Sequence, residues 1–178
     1  MVAIPRPAVR AATVRDADQV ADIHVRSWQA AHADLFPQSN LDSIYEAFPA
    51  QCWRATLGGT DWPKAGVLVV APEKEVLGFA GFGPTRDDGE DQALVGEIRD
   101  IYLVPEAWGK GIGKRLMSTA LARLASAGYA QVTLWVLASN TRARTFYTSG
   151  GWIEDGARKC NESQGFPIEE VRYRKQIA

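Results

Sequence analysis

The fold of this 178-residue chain is decided by the stretch Val104-Pro-Glu-Ala-Trp-Gly-Lys-Gly-Ile-Gly-Lys-Arg-Leu-Met117. A β-rich run ends at Val104, a glycine-rich turn follows, and apolar residues then recur at helical spacing up to Leu124. Glycine tolerates left-handed backbone angles and lets the main chain approach a ligand closely. The first N–H groups of the helix are free to bind phosphate. The stretch favours a phosphate-bearing ligand; the simpler interpretation is a tight turn with solvated basic residues.

This turn does not fit two common nucleotide-binding motifs. It lacks the G-x-x-x-x-G-K-[ST] spacing of a Walker A loop. It also lacks the acid of a Rossmann fingerprint, because no acidic residue occurs between Gly113 and Glu154. Lys110, Lys114 and Arg115 lie in or beside the turn, where they can add charge-assisted contacts to an anion.

A second segment lies one strand later and reads Leu134-Trp-Val-Leu-Ala-Ser-Asn-Thr-Arg-Ala-Arg-Thr-Phe-Tyr-Thr-Ser-Gly-Gly-Trp152. Together the two segments resemble the GNAT superfamily, the acetyl-CoA-dependent N-acetyltransferases. The pattern of that family is (Q/R)-x-x-G-x-(G/A) at the head of a helix, then a strand and N-x-x-A-x-x-x-Y-x-x-x-G-(F/W). The matching positions are Trp108, Gly111, Gly113, Asn140, Ala143, Tyr147, Gly151 and Trp152. Trp108 departs from the pattern, and the departure concerns one side-chain contact with the ligand.

The rest of the chain predicts one α/β domain at residues 8–178 after an N-terminal tail at 1–7. The resemblance implies a mixed, mostly antiparallel sheet, splayed at the acetyl-CoA site and flanked by helices. The predicted helices are 14–32, a stretch of helical spacing at 41–48, 51–57, one that starts near Ile112 and is stopped by Gly128, and 140–149. The predicted strands are 9–13, 66–70, 76–82, 94–104 (the longest), 132–137, one that begins at 150–152, and 168–175.

Composition restricts the class of protein. The chain has 20 Lys and Arg against 21 Asp and Glu, a formal net charge of −1, which removes the global electrostatic argument for a dedicated nucleic-acid binder. No apolar run approaches the ~20 residues that span a bilayer, and no signal peptide is evident. Cys52 and Cys160 make neither a disulfide framework nor a metal cluster. We therefore expect a cytoplasmic protein without metal, nucleic-acid partner or membrane partner.

The resemblance implies that acetyl-CoA lies in a wedge between the strand at 94–104 and the strand at 132–137. Backbone groups near 101–104 would pair with the pantetheine arm and the thioester carbonyl, and one N–H would act as an oxyanion hole. The pyrophosphate would rest on N–H groups of the glycine turn. The implied cofactor-binding residues are Ile101, Leu103, Val104, Gly109, Lys110, Gly111, Ile112, Gly113, Lys114 and Asn140.

Two side chains are candidates for the proton transfers. Glu97 lies at a position similar to that of the general base in some family members; the alternative is a rim carboxylate or a partner for Arg99. Tyr147 is the implied acid that protonates the CoA thiolate; the alternative is a core aromatic beside Phe146. Asn140 would bond the pantetheine arm, and it also fits a plain helix N-cap.

The acceptor side is expected on the first helix. His24, Trp28 and His32 are spaced at i, i+4 and i+8, so they share one face. With Phe36 and Tyr45 they resemble the acceptor-lining segment of many bacterial members of the family. The alternative is a core stripe with two satisfied histidines. Without a carboxylate partner, the two histidines make a poor zinc site.

These residues predict an N-acetyltransferase that transfers acetyl to a primary amine of a small molecule or peptide, by direct attack in a ternary complex. The alternative from another class is a non-catalytic acyl-CoA-binding or sensor module on the same fold. A nucleic-acid-binding module has only the basic cluster at 110–115 in its favour. A covalent route through Cys52 or Cys160 lacks a clear histidine partner. Dimerisation is common in the family, and a homodimer stays open for this chain.

Overall fold

The computed structural model describes residues 8–34, 36–37, 39, 49–72, 75–162 and 167–177. The strands are β1 Ala8–Ala11, β2 Gly66–Ala71, β3 Gly78–Pro84, β4 Val95–Leu103, β5 Gln131–Leu137, β6 Ile153–Asn161 and β7 Ile168–Gln176. The α-helices are α1 Ala17–His32, α2 Ala50–Gly58, α3 Ile112–Ser126 and α4 Thr141–Ser149. Two 3-10 turns, Val14–Asp16 and Pro105–Ala107, precede α1 and α3. None of the helices in the described ranges is long and apolar enough to cross a membrane.

The predicted elements within these ranges are confirmed, with small shifts at their ends. The first strand ends at Ala11 rather than at Thr13, because the Thr13 N–H donates to the Asp16 carboxylate at 2.7 Å and begins a helical turn. β4 was expected to be the longest strand, but β6 and β7 also have nine residues. The predicted tail at 1–7 and the helical spacing at 41–48 lie outside the described residues.

The sheet is mixed and mostly antiparallel, as expected. Its strand order is β1-β2-β3-β4-β5-β7-β6. The pair of β4 and β5 is parallel, and the other neighbouring pairs are antiparallel. A parallel pair needs a crossover connection, and α3 provides it. The crossover therefore carries the glycine turn to the carboxyl end of β4.

β4 and β5 are paired over a short length only. Their register pairs are Val95 with Gln131, Gly96 with Val132 and Glu97 with Thr133. Both strands are described in full, and no further pair joins them beyond that point. β4 then stays paired with β3 as far as Leu103, and β5 stays paired with β7 to its end. The two strands therefore diverge into a wedge inside the sheet.

A β-bulge interrupts β4 at the narrow end of this wedge, just after the last residue that pairs with β5. Phe82 of β3 pairs with Ile98 and Gly81 pairs with Asp100, so Arg99 is an extra residue. Residues two apart in a regular strand share one face of the sheet. The bulge breaks that rule. It leaves Ile98 in the core beneath α3, whereas Asp100 turns to the opposite face.

Helices cover both faces of the sheet. Val67 and Val69 of β2 belong to a core with α1 and α2, whereas Leu68 and Val70 belong to a core with α3. All six residues of β2 are buried, and the strand accordingly reads as a continuous apolar run. The core with α3 also includes Val132, Leu134 and Val136 of β5, so it extends across both sides of the wedge.

The start of α1 is held by a buried carboxylate. Asp16 is 5% exposed and accepts hydrogen bonds from the Arg10 guanidinium at 2.7 and 2.8 Å and from the Thr13 N–H at 2.7 Å. These bonds, first those from Arg10, lower the pKa of Asp16 to about 2 against the opposing effect of burial. This cluster ties β1 to α1, the helix that carries His24, Trp28 and His32.

We expect Asp16→Asn to lower the free energy of unfolding by about 2 kcal/mol at pH 7, since a lowered folded-state pKa means that the ionised form stabilises the fold. The stabilisation is complete above the unfolded pKa and is lost as the pH falls towards 2. Urea unfolding of wild type and variant from pH 7 to pH 2 measures this difference. Asp18→Asn, at an exposed ion pair with Arg54, is the matched control and changes stability by less than ~1 kcal/mol. A constant gap between wild type and Asp16→Asn across this pH range would contradict the account.

Candidate active site

The wedge between β4 and β5 opens into a cleft of about 990 Å³. Its lining comes from α1, the loop at 86–88, β4, the glycine turn, β5, α4 and the β6–β7 pair. The predicted site residues that line it are His24, Trp28, His32, Glu97, Ile101, Leu103, Gly109, Gly111, Gly113, Lys114, Asn140 and Tyr147. One cleft thus brings together residues that the sequence places more than a hundred positions apart.

Four predicted site residues are not among those that line the cleft. Phe36 stacks on Trp28 with ring centroids 5.7 Å apart, so it contacts a cleft-lining ring without lining the cleft itself. The N–H of Val104 donates to the Leu77 carbonyl at 2.9 Å, and its side chain is buried. Ile112 packs against the cores on both faces of the sheet, and Lys110 is exposed.

The turn before α3 has the backbone geometry that its glycines predict. Gly109 and Gly111 have φ angles of +73° and +76°, in the left-handed region that side chains with a Cβ rarely adopt. Gly111 is the N-cap of α3, so the first N–H groups of the helix lie at the cleft. The turn can therefore hold an anion through its main chain.

Trp108, the departure from the family pattern, has a defined role in this turn. Its indole N–H donates to the Leu103 carbonyl at 3.0 Å, at the end of β4. The Arg142 guanidinium lies over the indole ring, 3.7 Å from its centroid. Arg142 lines the cleft from the first turn of α4. Sequence reasoning missed it, although an arginine two residues after Asn140 was a visible signal.

The backbone of β4 offers unpaired groups to the wedge. The N–H of Val104 bonds to β3, and antiparallel hydrogen bonds alternate along a strand. Tyr102 is therefore bonded towards Phe79 of β3, whereas Ile101 and Leu103 direct their main-chain groups the other way, into the wedge. The Leu103 carbonyl is taken by Trp108. The N–H groups of Ile101 and Leu103 remain as donors that face the cleft.

Tyr147 of α4 and Asn140, the N-cap of that helix, both line the cleft. Tyr147 is 7% exposed, lines the cleft, and packs against the rings of Phe146, Trp152 and Tyr173. Burial raises its pKa above the usual range for tyrosine, so the hydroxyl keeps its proton at neutral pH. The Asn140 Oδ1 accepts the Ala143 N–H at 3.0 Å and caps α4. The expected N-cap is confirmed, and Asn140 also faces the cleft.

Glu97 is buried, and its partner is Arg86. Its two oxygens accept hydrogen bonds from Arg86 Nη2 at 2.6 Å, Nε at 3.1 Å and the backbone N–H at 3.0 Å. Glu97 is not a rim carboxylate, because it is only 2% exposed. It is not a partner for Arg99 either, because its oxygens accept from Arg86 and Arg99 Nη2 donates to the Pro84 carbonyl. Three donors, all from Arg86, therefore hold the Glu97 carboxylate.

Asp100 is a second β4 carboxylate that lines the cleft, and sequence reasoning missed it. The β-bulge turns it to the same side as Tyr102, whose ring lies 4.7 Å from that of His24 on α1. Gly81 lies opposite, where a Cβ would come within 2.9 Å of the Asp100 Oδ2. Burial raises the pKa of Asp100 to about 6, although Arg86 and Arg99 act against the shift.

His24, Trp28 and His32 of α1 all line the cleft. Burial lowers the pKa of His24 to about 4. The His32 Nδ1–H donates to the Trp28 carbonyl at 2.6 Å, and desolvation lowers the pKa of His32 as well. Both imidazoles are therefore neutral at pH 7 and form, with Trp28, an uncharged aromatic wall.

The acidic loop after β3 joins the two halves of the sheet. Asp87 accepts hydrogen bonds from the Trp135 indole N–H at 2.9 Å and from Arg172 at 3.0 Å. Glu90 of the same loop pairs with Arg172 and Arg174. β4 begins just after this loop, whereas Trp135 and the two arginines lie on β5 and β7. This ionic network bridges the base of the wedge.

The structure also bears on metal and cysteine chemistry. In the described part of the chain, no group of three or more His, Cys, Asp or Glu side chains could hold a metal ion. Cys52 and Cys160 are exposed free thiols, and neither is among the residues that line the cleft.

This chain is similar in sequence to known acetyltransferases. The sequence model of the Acetyltransferase (GNAT) family matches residues 18–152. The uncharacterized N-acetyltransferase YuaI of Bacillus subtilis strain 168 is 32% identical over 134 residues, which are 74% of this chain and 72% of that protein. The residues that the family model matches, 18–152, include nearly all of α1, the glycine turn and α4, which contribute to the cleft.

Solved structures share the fold at lower identity. The paia N-acetyltransferase from Thermoplasma acidophilum, in complex with coenzyme A, has a TM-score of 0.74 and 18% identity, covering 95% of this chain and 98% of that one. The protein yncA from Salmonella typhimurium, with its cofactor acetyl-CoA, has a TM-score of 0.66 and 20% identity, covering 97% and 94%. Since the family model spans most of the chain, including every element of the wedge from β4 to α4, the chain belongs to the GNAT acetyltransferase family.

Proposed function

We propose that this enzyme transfers the acetyl group of acetyl-CoA to a primary amine of a small molecule or peptide, by direct attack in a ternary complex. The observation that carries the proposal is the single cleft that joins the glycine turn to a face of carboxylates and aromatic rings. The end of the cleft at the glycine turn suits a phosphate-bearing donor, and the end with the carboxylates and aromatic rings suits an amine. A shared cleft lets both bind at once, as direct attack requires.

Main-chain groups hold the donor in this proposal. The N–H groups at the start of α3 bind the pyrophosphate, and the left-handed Gly109 and Gly111 allow the close approach. Arg142, held over Trp108, adds a cation where the family pattern has Gln or Arg. The free edge of β4 at Ile101 and Leu103 pairs with the pantetheine arm, and one of the two N–H groups stabilises the oxyanion.

The chemistry needs a neutral amine and a protonated leaving group. An alkylamine is mostly protonated at neutral pH and must lose a proton before it attacks. Glu97 stays a proposed base, directly or through an ordered water. Tyr147 keeps its proton at neutral pH and gives it to the departing thiolate. The proposed function does not depend on which carboxylate of β4 takes the amine proton.

The first test is an acceptor screen. Purified protein with acetyl-CoA is mixed with a panel of alkylamines, amino acids, amine-bearing antibiotics and peptides with free N-termini, and free CoA thiol is measured. We expect at least one amine to raise thiol release well above the rate without amine. Calorimetric binding of acetyl-CoA without thiol release for any of these amines would instead indicate a non-catalytic acyl-CoA-binding module.

The second test removes one hydroxyl. We expect Tyr147→Phe to lower kcat by about 100-fold, the usual scale for a lost general acid, with little change in acetyl-CoA affinity. Tyr173→Phe is the matched control, because Tyr173 packs against Tyr147 and its hydroxyl accepts from Arg144, outside the cleft lining. Its kcat should stay near that of wild type. Equal kcat for Tyr147→Phe and wild type would remove Tyr147 from the mechanism.

The third test concerns the arginine over Trp108. We expect Arg142→Ala to raise the KM for acetyl-CoA about tenfold, the loss of one charge-assisted hydrogen bond. The KM for acetyl-pantetheine, which lacks the phosphates, should stay unchanged. Arg123→Ala is the control, because Arg123 stacks on Trp62, away from the cleft. An equal effect on both donors would show that Arg142 acts through folding rather than through phosphate.

A further inference from the structure

Asp100 differs from Glu97 in its access to a ligand. Both oxygens of Glu97 are occupied by donors of Arg86. The carboxylate of Asp100 accepts no hydrogen bond and forms no ion pair within the described ranges of the chain, and it lines the cleft. Of the two β4 carboxylates, Asp100 is the one that accepts no hydrogen bond from the described residues, and it is less buried than Glu97, so a bound ammonium group meets no competing donor there.

The backbone places Asp100 there by two specific features. The bulge at Arg99 turns it to the cleft face, whereas regular alternation would put it beneath α3 beside Ile98. Gly81 then leaves the space that the carboxylate fills, since a Cβ there would lie 2.9 Å from Oδ2. Arg99 Nη2 donates to the Pro84 carbonyl, which holds the extra residue in place.

Tyr102 connects this carboxylate to the proposed acid. It is the next residue of β4 on the same face, and its pKa is raised by burial and by the electrostatic influence of Asp100, Tyr147 and Glu170. Asp100, Tyr102 and Tyr147 line the same cleft, Asp100 and Tyr102 from β4 and Tyr147 from α4.

We propose that Asp100 accepts the proton that the acceptor ammonium loses before attack, and that Glu97 is a positioning residue that fixes Arg86 beside it. This role rests on the proposed acetyl transfer. It adds to that function a named proton acceptor that the sequence did not indicate.

The proton balance of the step is complete. The ammonium N–H gives its proton to the Asp100 carboxylate, and the freed nitrogen lone pair forms the C–N bond at the thioester carbon. The C–S bond then breaks, and the thiolate takes the Tyr147 proton. The nitrogen of the tetrahedral intermediate loses its second proton, which restores the Tyr147 hydroxyl through water. Asp100 releases the first proton to solvent through the open cleft.

The charge around Asp100 fits this task. Burial raises its pKa to about 6, the charge of Glu97 raises it further, and Arg86 and Arg99 lower it. The titratable rings next to it on β4 and α1, Tyr102 and His24, are neutral at pH 7. A pKa near the working pH leaves Asp100 ionised at pH 7 and still able to take a proton. The active form is lost as the pH falls through about 6.

The test compares pH profiles of kcat/KM for wild type, Asp100→Asn and Glu97→Gln, with the panel amine that gives the fastest thiol release. We expect Asp100→Asn to lower kcat/KM by about 100-fold at pH 7. The variant should also lack the acidic limb of the pH profile, which is the fall in kcat/KM as the pH drops through about 6. Glu97→Gln should keep that limb. In Asp100→Ala, added formate should restore part of the activity, since it supplies the missing carboxylate.

Thermal unfolding distinguishes the loss of a proton acceptor from a loss of folded protein. At pH 8 the melting temperature of Asp100→Asn should equal or exceed that of wild type, because the variant removes a charge that burial destabilises. A limb that persists in Asp100→Asn, or that disappears only in Glu97→Gln, would overturn the role of Asp100 and leave acetyl transfer intact. No thiol release by wild type with any amine would overturn the proposed function itself, and this role with it.

Discussion

The rest of the structure depends on the divergence of β4 and β5 after Glu97 and Thr133. Buried backbone N–H and C=O groups need hydrogen-bond partners, so an open edge inside a sheet is unfavourable unless something satisfies it. Trp108 takes the Leu103 carbonyl, and the N–H groups of Ile101 and Leu103 are left for a ligand. The proposed donor site is thus the part of the sheet where the hydrogen-bond ladder between β4 and β5 is absent. The unpaired N–H groups of β4 there suit a donor that has an amide-bearing arm.

A wedge of this kind has to be kept open without separating the sheet. The core on the α3 face spans both halves, since it includes Ile98 of β4 and Leu134 of β5, and the core with α1 and α2 covers the β3–β4 half on the other face. The loop that leads into β4 then reaches across the base through Asp87 and Glu90 to Arg172 and Arg174. These four side chains are largely shielded from solvent, so the network is screened less by salt than a surface pair is. It connects the loop that leads into β4 to β7 on the other side of the wedge.

Local features of the site were predictable from the sequence, and pairings across the fold were not. The glycine turn and the cap of α4 each lie within a few residues, so spacing alone predicted them. The partner of Glu97 is Arg86, eleven positions away on the loop before β4, and no periodicity selects it over Arg99. The bulge at Arg99 has no composition signal, and without it the alternation of β4 places Asp100 in the core. Arg142 was visible, but its importance depended on what the indole of Trp108 does.

The two carboxylates of β4 show how one strand can separate structural and chemical roles. Glu97 accepts three hydrogen bonds from Arg86, which fix its position beneath the loop that leads into β4. Asp100 has a folded-state pKa of about 6, above its unfolded value, so the folded protein binds the proton more tightly than the unfolded chain does. Its contribution to stability therefore falls as the pH rises from about 4 to about 6, and the fold carries that cost at neutral pH. A donor placed on Asp100 would remove the cost and would also occupy the oxygens that an ammonium group needs. Stability and reactivity are opposed at this residue, and the bulge, which leaves the carboxylate without a donor, favours reactivity.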